Sequence, residues 1–247
     1  ILESEVQSAP NSIYSKAKVQ QDVQRILDVY KRAGRYAVEV DPKIIKRDEN
    51  RMDLIFEIDE GPEAKIAKIN FFGNTHYSSP DLQEVLMSKE SRWYRIFSSS
   101  ENYDAEKMNY DKELLRQFYN QRGYADFRVV SAIAELAPNK KSFILNFTLD
   151  EGLRYKISRT DIESAIAELP LDALKQEITF KAGDWYNSAQ IEKSVSAITD
   201  ELGKKGFVFV EVEPVLTRDA ENSTIAVTFK IKEGERIFVN RINISGN

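Results

Sequence analysis

The chain has 247 residues, of which 42% are hydrophobic, 30% charged and 11% aromatic; this balance supports packed cores, and the length exceeds one ordinary core. A net charge of -5 argues against a phosphate-binding surface of clustered Lys and Arg, so no nucleic acid is expected as a partner. The absence of cysteine excludes disulfides, thiolate nucleophiles and thiolate metal sites, and fits an oxidising compartment as well as many cytosolic proteins.

The longest apolar runs, such as Phe207-Val208-Phe209-Val210, fall far short of the roughly 20 residues that cross a bilayer as a helix. Ile1-Leu2-Glu3-Ser4-Glu5 lacks the basic and apolar regions of a signal or transit peptide, so the expectation is that any targeting segment has been removed.

One spacing organises the whole chain. Tyr14, Tyr103 and Tyr186 each stand 20 residues before Gly34, Gly123 and Gly206, and those glycines stand 27, 29 and 28 residues before Gly61, Gly152 and Gly234. Such agreement marks an internal repeat and outranks any local assignment.

In the first copy, Val19, Val23, Ile26 and Tyr30 form the apolar stripe of an amphipathic helix that Gly34 closes. A strand through Val38 and Val40, a turn at Asp48-Glu49-Asn50, and a strand through Met52, Leu54, Phe56 and Ile58 before Asp59-Glu60-Gly61 read as a hairpin.

The second copy begins with an extended segment, Ile66 to Gly73-Asn74, and a helix near Pro80 to Met87. Its second helix carries Met108, Leu115 and Tyr119, with the stripe broken at Lys112; Asp111 is no better, so Leu114 and Phe118 must widen it. Phe127 and Val129 lead to a turn at Ala137-Pro138-Asn139-Lys140, then to Phe143, Leu145, Phe147 and Leu149 before Asp150-Glu151-Gly152.

In the third copy, Arg159 to Ile166 looks helical by propensity and has no Gly-Asn, yet the repeat requires a strand up to about Glu163. A helix near Leu171 to Ile178 follows, then a helix on Ile191, Val195, Ile198 and Leu202. Val210 and Val212, the turn at Asp219 to Asn222, and Ile225, Val227, Phe229 and Ile231 before Lys232-Glu233-Gly234 complete it.

The expected fold is therefore α+β: tandem β-α-α-β-β repeats, each a three-stranded mixed sheet with two helices on one face. Residues 1–62 form a repeat lacking its first strand, 63–152 and 153–235 are complete repeats, and 236–247 are the first strand of a following repeat. The short Glu-Gly links are expected to leave few contacts between repeats.

This layout resembles the POTRA (polypeptide-transport-associated) domain, on the strength of Gly73-Asn74 closing an opening strand, Arg122-Gly123-Tyr124 after a second helix, and Glu-Gly ending each last strand. Arg32 to Tyr36, Asn50 to Leu54 and Ile69 to Asn74 look more narrowly like the POTRA domains of outer-membrane β-barrel assembly factors, here the second (incomplete) through the fourth. The resemblance covers nearly the whole chain. It implies a non-enzymatic scaffold on the periplasmic side of the Gram-negative outer membrane that takes up unfolded outer-membrane protein precursors and docks accessory lipoproteins. The alternative is the POTRA arm of another secretion or translocation pore.

The resemblance also implies that the second strand of each repeat is an exposed edge, which makes Phe127, Val129, Ser131 and Ile133 the candidate peptide-binding strand. An edge offers unpaired backbone groups to an extended peptide whatever its side chains. Ser91 to Phe97 lies where the middle repeat is longer by eight residues; Trp93, Tyr94 and Phe97 form either a docking patch or, with twice the weight, side chains tucked under the helices.

The lone His76 has neither a second His nor a Cys to share a site with, and reads as a solvated loop residue. Asp59-Glu60 and Asp150-Glu151 recur beside turn glycines, which points to turn chemistry and solubility. No catalytic residue, metal or cofactor is expected. With one open edge in the first repeat and an opening strand at 237–245, head-to-tail self-association is the remaining expectation.

Overall fold

The computed structural model describes residues 2–8, 10, 12–48, 51–91, 102–166, 169–207 and 209–234. In chain order they form α1 (Leu2–Glu5), α2 (Lys16–Arg32), β1 (Glu39–Lys46), β2 (Met52–Asp59), β3 (Lys65–Phe72), α3 (Ser79–Val85), α4 (Ala105–Asn120), β4 (Arg128–Leu136), β5 (Ser142–Asp150), β6 (Lys156–Ser164), α5 (Leu171–Lys175), α6 (Ser188–Lys204), β7 (Val210–Asp219) and β8 (Thr224–Glu233). The α+β repeat is present: a two-stranded sheet β1-β2, then three-stranded sheets ordered β3-β5-β4 and β6-β8-β7. The central strand of each three-stranded sheet runs parallel to the opening strand, and β8 runs antiparallel to β7.

The stretch 159–164 is strand, in parallel register with β8 from Arg159↔Ala226 to Ser164↔Ile231. Its neighbours override helical propensity because Ile157 and Ile162 are needed in the core. In the third repeat, Ile225, Val227, Phe229 and Ile231 alternate inward against Leu174, Ile191, Ile198 and Leu202, so both helices cover one face of the sheet. The middle repeat buries the equivalent Phe143, Leu145, Phe147 and Leu149, together with Leu82, Leu86 and Leu115. Full burial of each such side chain contributes about 1.5–3 kcal/mol.

Local chemistry sets the helix limits. Ser78 and Asp81 form a capping box around the start of α3. The residue after each repeat tyrosine precedes a long helix: Asp104 accepts from Glu106 N–H at 2.8 Å, and Asn187 accepts from Gln190 N–H at 3.3 Å. At the other end Gly34, Gly123 and Gly206 have φ of 79°, 107° and 90°, the left-handed conformation that ends a helix at least cost in glycine.

The chain divides into two compact units, Ile1–Leu115 with Val129–Leu149, and Arg116–Arg128 with Asp150–Asn247. The division runs through the middle repeat rather than along the Glu-Gly links. The links are in fact well bonded, contrary to the expectation of few contacts between repeats.

In the first unit, Ala64 N–H donates to the Gly34 carbonyl at 2.9 Å and the Ala64 carbonyl accepts from Tyr103 N–H at 3.1 Å. In the second unit the same two bonds run from Tyr155 N–H to Gly123, at 2.9 Å, and from Tyr186 N–H to Tyr155, at 3.0 Å. Tyr36 meets the edge of Phe143 at 4.8 Å, and Tyr103 stacks on Phe143 at 4.0 Å. Tyr155 donates its hydroxyl to Asp126 at 2.5 Å, and Arg218 pairs with the same carboxylate at 3.0 Å. In the first and middle repeats, the loop after the second helix is thus built into the repeat that follows.

Candidate functional site

Strand β4 lies at the end of its sheet and bonds to β5 on one side; among the described residues no strand pairs with its outer edge. Residues 137–141 connect it to β5, with Ala137 N–H donating to the Ser142 carbonyl at 2.8 Å. Arg128 forks onto Asp150 at 2.8 and 3.0 Å and anchors the strand's start.

The four residues expected on this edge fall into three environments. Phe127 precedes the strand and is buried, stacked on Tyr119 at 4.1 Å. Val129 and Ser131 are half-buried in the ladder. Ile133 points outward, 52% exposed, with Val130 at 59%. Period two would put all four on one side, but Ser131 and Ala132 are both half-buried, so the alternation slips by one there, as when a strand takes in one extra residue. The outer surface of β4 is consequently apolar at Val130 and Ile133.

Trp93, Tyr94 and Phe97 lie outside the described residues, as does the expected strand 237–245. In the first repeat, among the described residues, β2 has β1 as its one neighbouring strand. A cavity of about 490 Å³ lies alongside β2, lined by Tyr14, Lys18, Val19, Met52, Leu54 and Phe56 among others. His76 is exposed in its loop, with a ring nitrogen 3.0 Å from the Thr75 hydroxyl. Among the described residues no group of His, Asp and Glu could hold a metal ion, and no helix is long and apolar enough to cross a membrane.

The sequence reading missed a buried polar position. Asp22, Asp111 and Ser194 each stand twelve residues before the helix-closing glycine, and all three are fully buried. Asp22 accepts from Gln7 N–H (2.8 Å), Ser8 N–H (3.0 Å) and the Ser8 hydroxyl (2.5 Å). Asp111 accepts from Met87 N–H at 2.6 Å and Ser88 N–H at 3.3 Å. The Ser194 hydroxyl accepts from Thr179 N–H at 3.1 Å.

Each therefore supplies a buried acceptor to backbone donors just beyond the repeat's first helix, and of the residues that donate, Ser88 is itself buried. Burial pushes the Asp22 carboxyl up, but the Ser8 hydroxyl, the two N–H groups and the Arg25 charge outweigh it and hold the group below the usual aspartate value. Asp111 is thus no defect in an apolar stripe; the recurrence of a polar residue at one inward position was the available signal.

The paired carboxylates divide their work. Asp59 and Asp150 accept from Gly61 and Gly152 N–H at 3.1 and 3.3 Å, which is turn chemistry as expected. Glu151, however, is buried and accepts from the buried Tyr119 hydroxyl at 2.8 Å, so its role is internal, not solubility.

These features define a class: a repeat scaffold of small sheets, each packed with internally bonded helices. A family model described as "POTRA: Surface antigen variable number repeat" matches residues 1–61, 64–152 and 155–234. The chain belongs to the POTRA family. Among curated relatives, the outer membrane protein assembly factor BamA of Neisseria meningitidis serogroup B is 29% identical over 97% of this chain and 30% of its own length. That of Neorickettsia risticii is 31% identical over 83% of this chain and 27% of its own. The chain thus spans about a third or less of these relatives. The crystal structure of Haemophilus influenzae BamA POTRA3-5 superposes with a TM-score of 0.53 at 19% identity, covering 94% of this chain and 89% of that one, a likeness of fold.

Proposed function

We propose that this chain is a non-enzymatic arm of the outer-membrane protein assembly machinery, on the periplasmic side of the Gram-negative outer membrane. In this reading it captures unfolded barrel precursors by strand addition and docks accessory lipoproteins. The relatives' shared designation as assembly factors supports the setting. The observation that carries the mechanism is β4, a nine-residue strand at the end of its sheet.

A client strand laid along β4 gains backbone hydrogen bonds that are indifferent to its sequence, and Val130 and Ile133 offer apolar contact to alternate client side chains. Such capture suits precursors whose strands alternate in polarity and have no common sequence. Each bond contributes about 0.5–1.5 kcal/mol net, so several together hold a client reversibly.

The test is a titration of the chain with a labelled strand peptide from an outer-membrane barrel protein. Val129→Pro should weaken capture several-fold more than Val129→Ala, because proline removes a backbone donor and alanine only trims a side chain. Equal effects of the two, with the circular dichroism unchanged, would overturn backbone pairing in favour of side-chain recognition.

A further inference from the structure

The three repeats do not offer equivalent edges. Eight residues after its helix-closing glycine, the first repeat has Pro42, the second Ser131 and the third Pro214. Pro42 lies within β1 and Pro214 within β7, each the second strand of its repeat.

The ladder fixes which way each proline nitrogen points. In an antiparallel pair, residues alternate between directing N–H and C=O at the partner and directing both away. Arg47 N–H donates to the Arg51 carbonyl at 2.9 Å, and the register continues unbroken from Lys46↔Met52 to Pro42↔Phe56. Counting back in twos from Arg47, residues 45 and 43 face β2, so 44 and 42 face away. At β7, Gly234 N–H donates to the Phe209 carbonyl at 3.0 Å, and the register continues from Val210↔Glu233 to Pro214↔Phe229. Residues 211 and 213 therefore face β8, and 212 and 214 face away.

Both prolines thus leave the internal ladder intact and alter the free edge alone. Each removes one outward donor in mid-strand and puts ring carbons where an added strand's carbonyl would approach. Proline on an edge is a recognised means of blocking strand addition. Strand β4, Arg-Val-Val-Ser-Ala-Ile-Ala-Glu-Leu, has no proline; the residue at the same distance from its helix-closing glycine is Ser131, which retains a backbone N–H.

We propose that Pro42 and Pro214 close the second-strand edges of the first and third repeats to strand addition, so that β4 of the middle repeat is the chain's selected capture edge. This rests on the reading of β4 as a capture edge. Selection of one edge gives a client a single register along the arm, in place of three competing ones. It also protects β1 and β7 from pairing with other copies of the chain. The residue at this repeat position is then the determinant of which edge is open.

The test uses the full chain and a labelled peptide of about ten alternating Val and Thr residues, with amide hydrogen exchange locating the bound strand. In the wild type, the peptide should slow exchange in β4 and leave β1 and β7 unchanged. Pro214→Ser should add peptide-dependent protection in β7 and raise the stoichiometry from one to two. Ser131→Pro should remove protection from β4 and weaken binding roughly tenfold or more, an effect of one or two lost hydrogen bonds, while Ser131→Ala leaves binding near the wild-type value.

Peptide protection of β1 or β7 in the wild type overturns the closure. So does a folded Pro214→Ser variant whose β4 still captures peptide and whose β7 gains nothing. If wild-type β4 is unprotected but Pro214→Ser gains protection in β7, closure by proline stands and the capture reading of β4 fails. If neither edge takes the peptide, both fail.

Discussion

In the first repeat Tyr30 donates its hydroxyl to Glu60 at 3.1 Å on an exposed surface, and Glu60 also lies 3.6 Å from Arg35. In the second repeat Tyr119 donates to Glu151 at 2.8 Å with both side chains buried. The same pair, at equivalent places relative to the repeat glycines, is thus a surface contact in one repeat and part of the interior in the next. The third repeat has Leu202 and Glu233 in these places, and Leu202 is buried in the core instead. A repeat conserves where a residue stands in the fold; its neighbours decide what that residue contributes.

The sharpest way to break the comparison is at the buried acceptor. Asp111→Ala leaves the Met87 and Ser88 N–H groups without that acceptor; Ser88 is buried and Met87 is exposed, and a buried, unpaired donor costs about 1–3 kcal/mol. A loss of roughly 2 kcal/mol is expected in urea unfolding followed at the middle repeat. Ser194→Ala, where one backbone N–H is at stake, should cost about half as much. Equal losses would mean that the carboxylate's second bond carries nothing.

Next is Gly73→Ala. Gly73 has φ of 84°, and an added Cβ would lie 2.2 Å from the Leu149 carbonyl oxygen, whereas one at Gly183, φ 92°, would meet open space. Both variants bear the backbone strain of a left-handed alanine, about 1–3 kcal/mol, and Gly73→Ala adds a main-chain clash. The expected order of thermal stability is wild type, Gly183→Ala, Gly73→Ala.

Tyr119→Phe should cost about 1–2 kcal/mol, because a buried carboxylate loses a charge-assisted donor, while Tyr30→Phe should stay within about 0.5 kcal/mol. Denaturant midpoints of the two variants check this directly.

The smallest expected effect is one of pH. The Asp22 carboxyl titrates below its ordinary value in the folded chain, so its stabilisation is complete above the unfolded value of about 3.9 and is lost as pH falls through the lower folded value. Amide-exchange protection in α2, taken relative to the unfolded chain at each pH, should fall on acidification through that range more steeply in the wild type than in Asp22→Asn. Parallel pH profiles would show that Asp22 is not the titrating group.

The sequence by itself determined the number of repeats, the order of elements in each, the helix-closing glycines, and the strand at 156–164 that its own propensity disguised. These follow from spacing and periodicity, which a linear chain records. It also contained Pro42, Ser131 and Pro214 at one repeat position, but not the direction of the two proline nitrogens, which depends on ladder register. Only the tertiary structure decided that Phe127 leaves the edge for the core while Ile133 faces outward, since a one-residue slip inverts every later side chain. It alone decided that Asp22, Asp111 and Ser194 serve backbone donors 14 to 24 residues away, that Glu151 is buried, and that the links between repeats are bonded. Each depends on groups distant in sequence that folding brings within about 3 Å, the range at which a hydrogen bond forms.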